Sequence, residues 1–283
     1  MIEKITFDSG VQGKKILILG AVHGNETAGP NALFKVIDDI QSYRINLKRG
    51  SVTFVPICNL IAYQKDVRQV DENLNRVIKH HDNPITYEQK IANEISSLIE
   101  QNDILLDLHS THCQGDVPFV FCDYPTSDNL KLIEAIDVDY VLLGWPQIYS
   151  GHADITDYST ERYAHDCHKS GVTLECGYHK EPKATDVAYN AVLNVLKQYG
   201  MIDGISHISH CKTNIYLTEF IIKRKNGRLC QNYKHLDRIL KGQKIAQYDD
   251  GEVLTASQDG YILLPNGSAE IGTEWYYLGT QNK

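Results

Sequence analysis

Several features that would assign this sequence to other classes of protein are missing. It has seven cysteines, an odd number scattered without a C-x-x-C pair, which argues against a disulfide framework and a cysteine zinc site. No apolar run approaches the ~20 residues that span a bilayer, and the start, MIEKITFDSGVQGKK, lacks the apolar core of a signal peptide. A formal net charge of −8 offers no basic face to nucleic acid or an anionic membrane. We therefore expect a cytoplasmic protein that binds neither.

What is present is an alternation of short apolar runs and amphipathic segments across the first 200 residues. The 283 residues, 42% of them hydrophobic, are enough for a sizeable core. Strands are predicted at 15–22, 51–58, 103–108, 118–122, 139–143 and 171–176, and helices at 26–40, 86–100, 127–136 and 184–199. This alternation predicts an α/β fold with a mixed, largely parallel central sheet flanked by helices.

The pattern changes near residue 203. Short strand-like segments with Gly and Asn-Gly turns follow, at 214–223, 244–247, 252–256, 260–264 and 275–278. The sequence therefore predicts a large α/β domain over 1–203 and a small β domain over 204–283.

The stretch ILGAVHGNETAG, residues 18–29, places an imidazole and a carboxylate just after a predicted buried strand. The spacing H-x-x-E, here His23 to Glu26, is weak evidence alone because it arises by chance. Its position is more informative, since ligands bind at the carboxyl ends of strands in open α/β sheets. The alternative is a polar turn that leads into a helix.

A second histidine follows another predicted strand, in LLDLHSTH, where His109 lies at the strand's carboxyl end. Two histidines and one carboxylate are the ligand set of a catalytic zinc ion, with the fourth position left for water. Together, His23, Glu26 and His109 favour a metal site over a structural histidine. Asp107, two residues earlier on the same strand face, is placed to orient a ligand imidazole.

Two further segments carry polar groups that suit a hydrolase. Glu175, in GVTLECG, lies in an otherwise apolar strand, and it is either a general base or an edge residue facing solvent. The segment RQVDENLNR, residues 68–76, carries two arginines and an amide on a predicted loop. Arginines bind carboxylates and stabilise oxyanions, although a charged surface loop is the alternative.

The order of these motifs and the residues in them resemble those of a known family. HGNE, NLNR, DLHS and VTLECG, in that order, are similar to the motifs of the succinylglutamate desuccinylase/aspartoacylase family within the zinc carboxypeptidase-like superfamily. The resemblance implies that one Zn²⁺ per chain is bound by His23, Glu26 and His109. It also implies that Arg68 holds the scissile carbonyl oxygen, that Asn75 and Arg76 bind a substrate carboxylate, and that Glu175 is the base and proton shuttle.

The resemblance extends less firmly to two other parts of the chain. YSTER, from Tyr158 to Arg162, is similar to a substrate-binding segment of aspartoacylases, with three extra residues before Glu175. Those enzymes also use a C-terminal tyrosine, for which Tyr276 and Tyr277 are candidates, although an aromatic pair in a strand also suits a core.

The C-terminal segment is similar to a lipoyl/biotinyl-type half-barrel. A carrier domain exposes a lysine at a hairpin tip, whereas the expected tip here, residues 249–251, is Asp-Asp-Gly. We therefore expect this domain to shield the mouth of the active site or to contact another subunit in a homo-oligomer. HISH, residues 207–210, suits a linker or an adventitious metal.

The sequence as a whole predicts a zinc-dependent amidohydrolase that removes the acyl group from an N-acyl amino acid, a small-molecule substrate. Two alternatives stay open: a metallocarboxypeptidase acting on short peptides, and a non-catalytic ligand-binding homologue. The sequence does not identify the acyl group or the amino acid.

Overall fold

A computed structural model describes residues 2–150, 158–206 and 212–281 of the chain. The chain divides into two compact units. The N-terminal unit comprises Met1–Val141 and Asp154–Lys212, and the C-terminal unit comprises Leu142–Ala153 and Thr213–Lys283. In these three described ranges, no helix combines the length and the apolar character needed to cross a bilayer.

The N-terminal unit alternates strands and helices along the chain. Its strands are β1 (Ile5–Asp8), β2 (Lys15–Gly20), β3 (Ser51–Val55), β4 (Ile104–Thr111), β5 (Phe119–Phe121) and β7 (Ser170–Tyr178), while β6 (Tyr140–Leu143) lies across the division between the units. Its helices are α1 (Ala28–Gln41), α2 (Leu60–Gln64), α3 (Tyr87–Gln101), α4 (Ser127–Ala135), α6 (Thr160–Asp166) and α7 (Pro182–Gln198). A 3-10 turn covers Leu74–Arg76.

Parallel pairing builds the centre of this unit's sheet. The strand order is β1-β3-β2-β4-β7-β5, in which β2 pairs in parallel with β3 and β4, and β4 pairs in parallel with β7. The outer strands β1 and β5 run antiparallel to their neighbours. The predicted fold class, a mixed and largely parallel α/β sheet with helices, is confirmed.

Helices cover both faces of this sheet because its central strands are apolar on both sides. Leu17 and Leu19 of β2 pack in one cluster with Ile91 and Ile95 of α3. Successive residues of a strand point to opposite faces. Ile16 and Ile18 of β2 therefore face the other side of the sheet, where α1 packs against β2 and α7.

The C-terminal unit is built almost entirely from short antiparallel strands. They are β8 (Thr213–Ile222), β9 (Gly227–Leu229), β10 (Asp237–Ile239), β11 (Lys244–Tyr248), β12 (Val253–Thr255), β13 (Gly260–Leu263) and β14 (Glu274–Thr280), with α5 (Trp145–Tyr149) as an additional helix. Strands β8, β14, β13 and β10 are hydrogen-bonded neighbours in that order, and β9, β11 and β12 form a separate three-stranded sheet. Large aromatic side chains, Tyr248, Trp275 and Tyr276, are buried in its core.

The elements that the sequence did not predict are all short. They are β1, α2, α5, α6, β9 and β10, of three to seven residues. A segment of that length completes too few repeats of either the helical or the strand period to be recognised. Each is instead stabilised by its neighbours in the fold, as β1 is by its pairing with β3.

Candidate metal centre and active site

Two neighbouring parallel strands bring the predicted ligands to one edge of the sheet. Gly20, the last residue of β2, is the register partner of Leu108 in β4. His23 follows β2 and His109 follows Leu108, so both imidazoles reach the same carboxyl edge. The ligand atoms of His23, Glu26 and His109 lie within 4.8 Å of one another, and all three side chains are buried.

The loop between β2 and α1 is shaped by close packing. A Cβ atom on Gly24 would lie 2.2 Å from the carbonyl carbon of Ala62 in α2, so no larger residue fits between the two ligands of this loop. The Gly24 N–H donates to the carbonyl oxygen of Arg68 at 3.1 Å, and the Glu26 N–H donates to that of His23 at 3.2 Å. The His23–Glu26 segment is therefore a tight turn fastened to the 68–76 loop.

Each imidazole presents one nitrogen to Glu26 and the other to an outer oxygen atom. His23 Nδ1 lies 2.8 Å from Glu26 Oε1, and His109 Nδ1 lies 3.0 Å from Glu26 Oε2. His23 Nε2–H donates to Asn73 Oδ1 at 3.0 Å, and His109 Nε2–H donates to Asp107 Oδ2 at 3.0 Å. Metal-ligating histidines are held in this way, because the outer hydrogen bond fixes both the tautomer and the orientation of the ring.

These residues fit a zinc ion. The Nε2–H of His23 is used by Asn73, so in the neutral ring Nδ1 presents a lone pair 2.8 Å from a carboxylate oxygen of Glu26. A proton or a metal ion beside two such atoms relieves their repulsion, so the contact is compatible with a metal site. Two imidazole nitrogens and one carboxylate also match the donor set of catalytic zinc sites.

Burial and mutual charge set the protonation of this cluster. Burial, assisted by the charge of Arg68, lowers the pKa of His23 to about 4, which keeps its ring neutral. Burial opposes ionisation of Glu26, but His23 and His109 hold the pKa of that carboxyl well below its usual range. Burial also opposes charge on His109, yet Asp107 and Glu26 raise its pKa well above the ordinary value.

Asp107 is fully buried behind His109. Its Oδ2 accepts hydrogen bonds from Thr160 Oγ1 at 2.6 Å and from His109 Nε2. Its Oδ1 is buried and has no hydrogen-bond partner among the described residues. The contact with His109 is the one that the sequence suggested for this residue.

Glu175 lies in β7, where it is the register partner of His109 in the adjacent strand β4. Its Oε2 is buried and accepts no hydrogen bond in the described part of the chain. Burial, followed by the charge of Glu26, raises the pKa of Glu175 to about 8. A carboxyl group that exchanges its proton near neutral pH is suited to general acid–base chemistry.

The 68–76 loop contacts the cluster through Arg68 and Asn73, whereas Asn75 and Arg76 make other contacts. Arg68 is half-exposed, and its Nη1 donates to Glu26 Oε1 at 3.2 Å. Asn75 is buried, and its Oδ1 accepts the backbone N–H of Thr160 at 2.9 Å. Arg76 Nη1 donates to the Asn75 carbonyl oxygen at 2.9 Å. The two arginines and the amide thus lie on one loop that contacts His23 and Glu26.

Tyr158 and Arg162 have other neighbours. The ammonium of Lys79 lies 4.4 Å from the centre of the Tyr158 ring, and the Tyr158 carbonyl accepts the Ile78 N–H at 2.8 Å. Arg162 Nε donates to both carboxylate oxygens of Asp166, four residues later in α6, at 2.9 and 3.0 Å. Their roles in substrate binding stay predictions.

The tyrosine candidates of the C-terminal unit are buried in that unit. Tyr276 belongs to its aromatic core, and Tyr277 Oη lies 3.0 Å from Tyr149 Oη. The ring of Tyr277 also packs against Trp145, with centroids 4.5 Å apart. The HISH segment, 207–210, lies outside the described residues.

Asn73 and Thr160 are site residues that sequence reasoning missed. Asn73 Oδ1 accepts from both His23 Nε2 and the Asn75 N–H, and Thr160 links Asp107 to Asn75. Asn73 lies inside the NLNR motif, so its presence in that motif was the available signal. Thr160 lies in a short helix that no periodicity marks.

The sequence matches the family model of the succinylglutamate desuccinylase/aspartoacylase catalytic domain over residues 12–198. A succinylglutamate desuccinylase of Vibrio cholerae serotype O1 is 23% identical over 300 residues, which cover 96% of this chain and 82% of that protein. A probable aspartoacylase of Prochlorococcus marinus is 34% identical over 105 residues, which cover 34% of each chain.

Solved structures share the fold. A succinylglutamate desuccinylase/aspartoacylase from Rhodobacter sphaeroides superposes with a TM-score of 0.79 at 18% identity, covering 99% of this chain and 89% of that one. The ectoine utilization protein EutE (DoeB) from Ruegeria pomeroyi, solved with product bound, gives 0.78 at 20% identity with the same coverage. The resemblance seen in the motifs is confirmed: the chain belongs to the succinylglutamate desuccinylase/aspartoacylase family.

Proposed function

We propose that this protein is a zinc-dependent amidohydrolase that removes the acyl group from an N-acyl amino acid. The observation that carries the proposal is the buried cluster of His23, Glu26 and His109, with Glu175 on the adjacent strand and Arg68 in contact with Glu26. The names of its relatives, desuccinylase and aspartoacylase, support a deacylase.

The metal would be held by Nδ1 of His23, Nδ1 of His109 and the Glu26 carboxylate, one ion per chain. Zinc in that position supplies Lewis acidity, which polarises a carbonyl group and acidifies water. Asn73 and Asp107 keep the two rings oriented by accepting from Nε2–H. Glu26 then serves as a ligand in place of its present contacts with the two imidazoles.

Glu175 is proposed to move the proton. Its ionised carboxylate takes a proton from the water whose oxygen attacks the amide carbon, and it then gives that proton to the departing nitrogen as the C–N bond breaks. One carboxyl group serves both steps, since it accepts and releases a proton near neutral pH. The products are a carboxylate and a free amine.

The 68–76 loop is proposed to bind the substrate and its oxyanion. A guanidinium has five N–H donors, so Arg68 can approach the scissile carbonyl oxygen while it remains beside Glu26. Asn75 and Arg76 would hold a substrate carboxylate, and Tyr158 and Arg162 would add contacts if Arg162 leaves Asp166. A local positive group is needed to bind an anion in a chain of net charge −8.

The proposal includes the setting of the reaction. Residues 1–203 would carry the chemistry, and residues 204–283 would form a separate half-barrel domain. The scattered and odd cysteines suit a cytoplasmic enzyme.

The experiment is a panel of N-acetyl, N-succinyl and N-formyl amino acids and short peptides, with amine release measured with and without a chelator. Chelator-sensitive turnover of an acyl amino acid, with the peptides untouched, would support the proposal. Release of C-terminal residues from peptides would make the protein a metallocarboxypeptidase instead. Zinc binding without turnover of any compound would favour a non-catalytic ligand-binding protein.

A further inference from the structure

A buried carboxylate lies beneath the 68–76 loop and has no part in the proposed chemistry. Glu88, in the first turn of α3, has 0% of its surface exposed. Its Oε1 accepts from the Val70 N–H at 2.7 Å and from Asn59 Nδ2 at 3.0 Å. Its Oε2 accepts from the N–H groups of Asp71 and Glu72 at 3.1 and 3.4 Å.

Four N–H donors match the four acceptor positions that a carboxylate offers. Three of them belong to consecutive residues, 70–72, so the loop curls around the anion as a nest of backbone N–H groups. The start of α3 adds the favourable field of a helix N-terminus. The conformation of the loop therefore depends on the charge and reach of one side chain.

Hydrogen bonds also run from the start of α3 to the loop, with side chains of the loop as acceptors. Asp71 Oδ2 accepts the Tyr87 N–H at 2.8 Å. Glu72 Oε1 accepts from Thr86 Oγ1 at 2.5 Å and from the side-chain amide of Gln89 at 2.9 Å. Residues 70–72 and 86–89 thus exchange hydrogen bonds in both directions around Glu88.

The groups on either side of this anchored segment are the ones that meet the metal ligands. Upstream, the Arg68 carbonyl accepts the Gly24 N–H, and the Arg68 guanidinium contacts Glu26. Downstream, Asn73 Oδ1 accepts from His23 Nε2 and from the Asn75 N–H. Along the chain, only Gln69 and the anchored residues 70–72 lie between these two sets.

We infer that Glu88 is the positioning residue for the loop that orients His23 and presents Arg68 and Arg76. Its carboxylate acts through the backbone of residues 70–72 and does not touch the metal ligands. The effect on turnover rests on the proposed hydrolase activity, whereas the effect on zinc affinity rests only on the proposed metal site.

The test compares Glu88→Gln with a control of equal stability. Glutamine has the same shape but turns an NH₂ group toward N–H donors, so the loop loses part of its anchor. The zinc dissociation constant, measured by competition with a chromophoric chelator, is expected to rise about 10-fold, the lower end of what loss of an outer partner of a ligand costs. On the substrate found in the panel, we expect KM to rise and kcat to fall together, because both binding and oxyanion groups lie on the loop.

The control is a substitution of Ile133, a buried core residue of α4 that lies outside the cluster in which α3 packs with Leu74 of the loop. Ile133→Val or Ile133→Ala is chosen to match the melting temperature of Glu88→Gln, and its zinc affinity and kcat/KM are expected within twofold of the native protein. Glu88→Asp keeps the charge with a shorter reach, and intermediate values are expected. It takes the place of Glu88→Gln if that variant does not fold.

Two results would overturn the inference. One is a Glu88 variant whose zinc affinity and kcat/KM both stay within twofold of native. The other is an equal loss in the matched Ile133 variant, which would make the effect one of stability alone. If the native protein binds zinc but turns over nothing in the panel, the proposed function fails, and the zinc titration still decides the role of Glu88.

Discussion

The two units of this chain bury polar groups in different ways. In the N-terminal unit, the buried polar groups converge: His23, Glu26 and His109 meet at one edge of the sheet, with Asp107 behind them. In the C-terminal unit, the buried core is aromatic, and His235 is a single buried histidine whose Nδ1 accepts the Leu264 N–H at 3.1 Å. One arrangement brings together three side chains that could hold a cation, while the other supports a backbone turn.

This contrast separates two meanings of a buried titratable group. A buried imidazole that accepts a backbone N–H, as His235 does, contributes to the local fold. A cluster in which Glu26 faces two Nδ1 atoms, and in which Asp107 and Glu175 each keep a buried oxygen without a hydrogen bond in the described residues, has capacity left for a ligand. The second pattern is typical of a functional site.

Removing one metal ligand should give the largest effect. His109→Ala is expected to lose its zinc on dialysis, as measured by metal analysis of the purified protein. The Lewis acid is worth several kcal/mol and each 1.4 kcal/mol is about 10-fold, so kcat/KM should fall ~10³-fold or more. A variant that keeps one zinc per chain at native affinity would contradict the proposed ligand set.

Replacing the proton carrier should reduce turnover without releasing the metal. Glu175→Gln keeps the shape of the side chain, and loss of a general acid–base typically lowers kcat by ~10²–10⁴-fold. Zinc content should stay at the native level. Glu134→Gln, an exposed glutamate of α4, is the matched control and should be fully active. Full activity in Glu175→Gln would rule out the proposed mechanism.

Weakening the outer partner of His109 should give a smaller effect. Asp107→Asn leaves an oxygen to accept from Nε2–H but removes the charge behind the ligand. Zinc affinity, measured with a chromophoric chelator, is expected to fall ~10–100-fold. Asn73→Ala makes the parallel test on His23. Unchanged zinc affinity in both variants would show that Asp107 and Asn73 are structural contacts with no effect on metal binding.

The smallest effect concerns His235 and appears only at acidic pH. Burial lowers the pKa of His235 to about 3. Below the ordinary value near 6.5, the unfolded chain binds a proton that the native chain does not, so stability falls as the pH falls from about 6.5 toward 3 and is independent of this group above that range. Between pH 8 and pH 5 the loss is about 2 kcal/mol.

His235→Asn should remove that loss while it keeps an acceptor for the Leu264 N–H. Both tryptophans, Trp145 and Trp275, lie in the C-terminal unit, so tryptophan fluorescence during urea unfolding at the two pH values follows this unit. The same pH dependence in native and variant proteins would show that another group is responsible.

The sequence was sufficient for the fold class because the central strands are long apolar runs. The segments KILILG and ILLDL predict buried parallel strands. The polar residues that follow them indicate that the carboxyl edge of the sheet carries the candidate site. The meeting of His23 with His109 follows from adjacent parallel strands of matching register. Strand periodicity does not encode that adjacency, which the family resemblance supplied.

The supporting residues were harder to predict because their roles depend on the path of a loop. Glu88 lies three residues before Ile91, on the apolar face of α3, and a carboxylate in that position was a signal that it is buried. The N–H groups that bind the Glu88 carboxylate cannot be predicted from the sequence, because the 68–76 loop has no periodic pattern. Asn73 and Thr160 are missed for the same reason.

The amide of Asn73 has a consequence for the charge balance of the centre. Asp107 and Asn73 occupy equivalent places behind the two imidazoles, but only Asp107 is anionic. Asn73 therefore adds no negative charge behind His23, and the proposed divalent cation would face the charges of Glu26 and Asp107. Glu175 would add its charge when it is ionised as the base, so Arg68 and Arg76 would have to offset it for a carboxylate-bearing substrate.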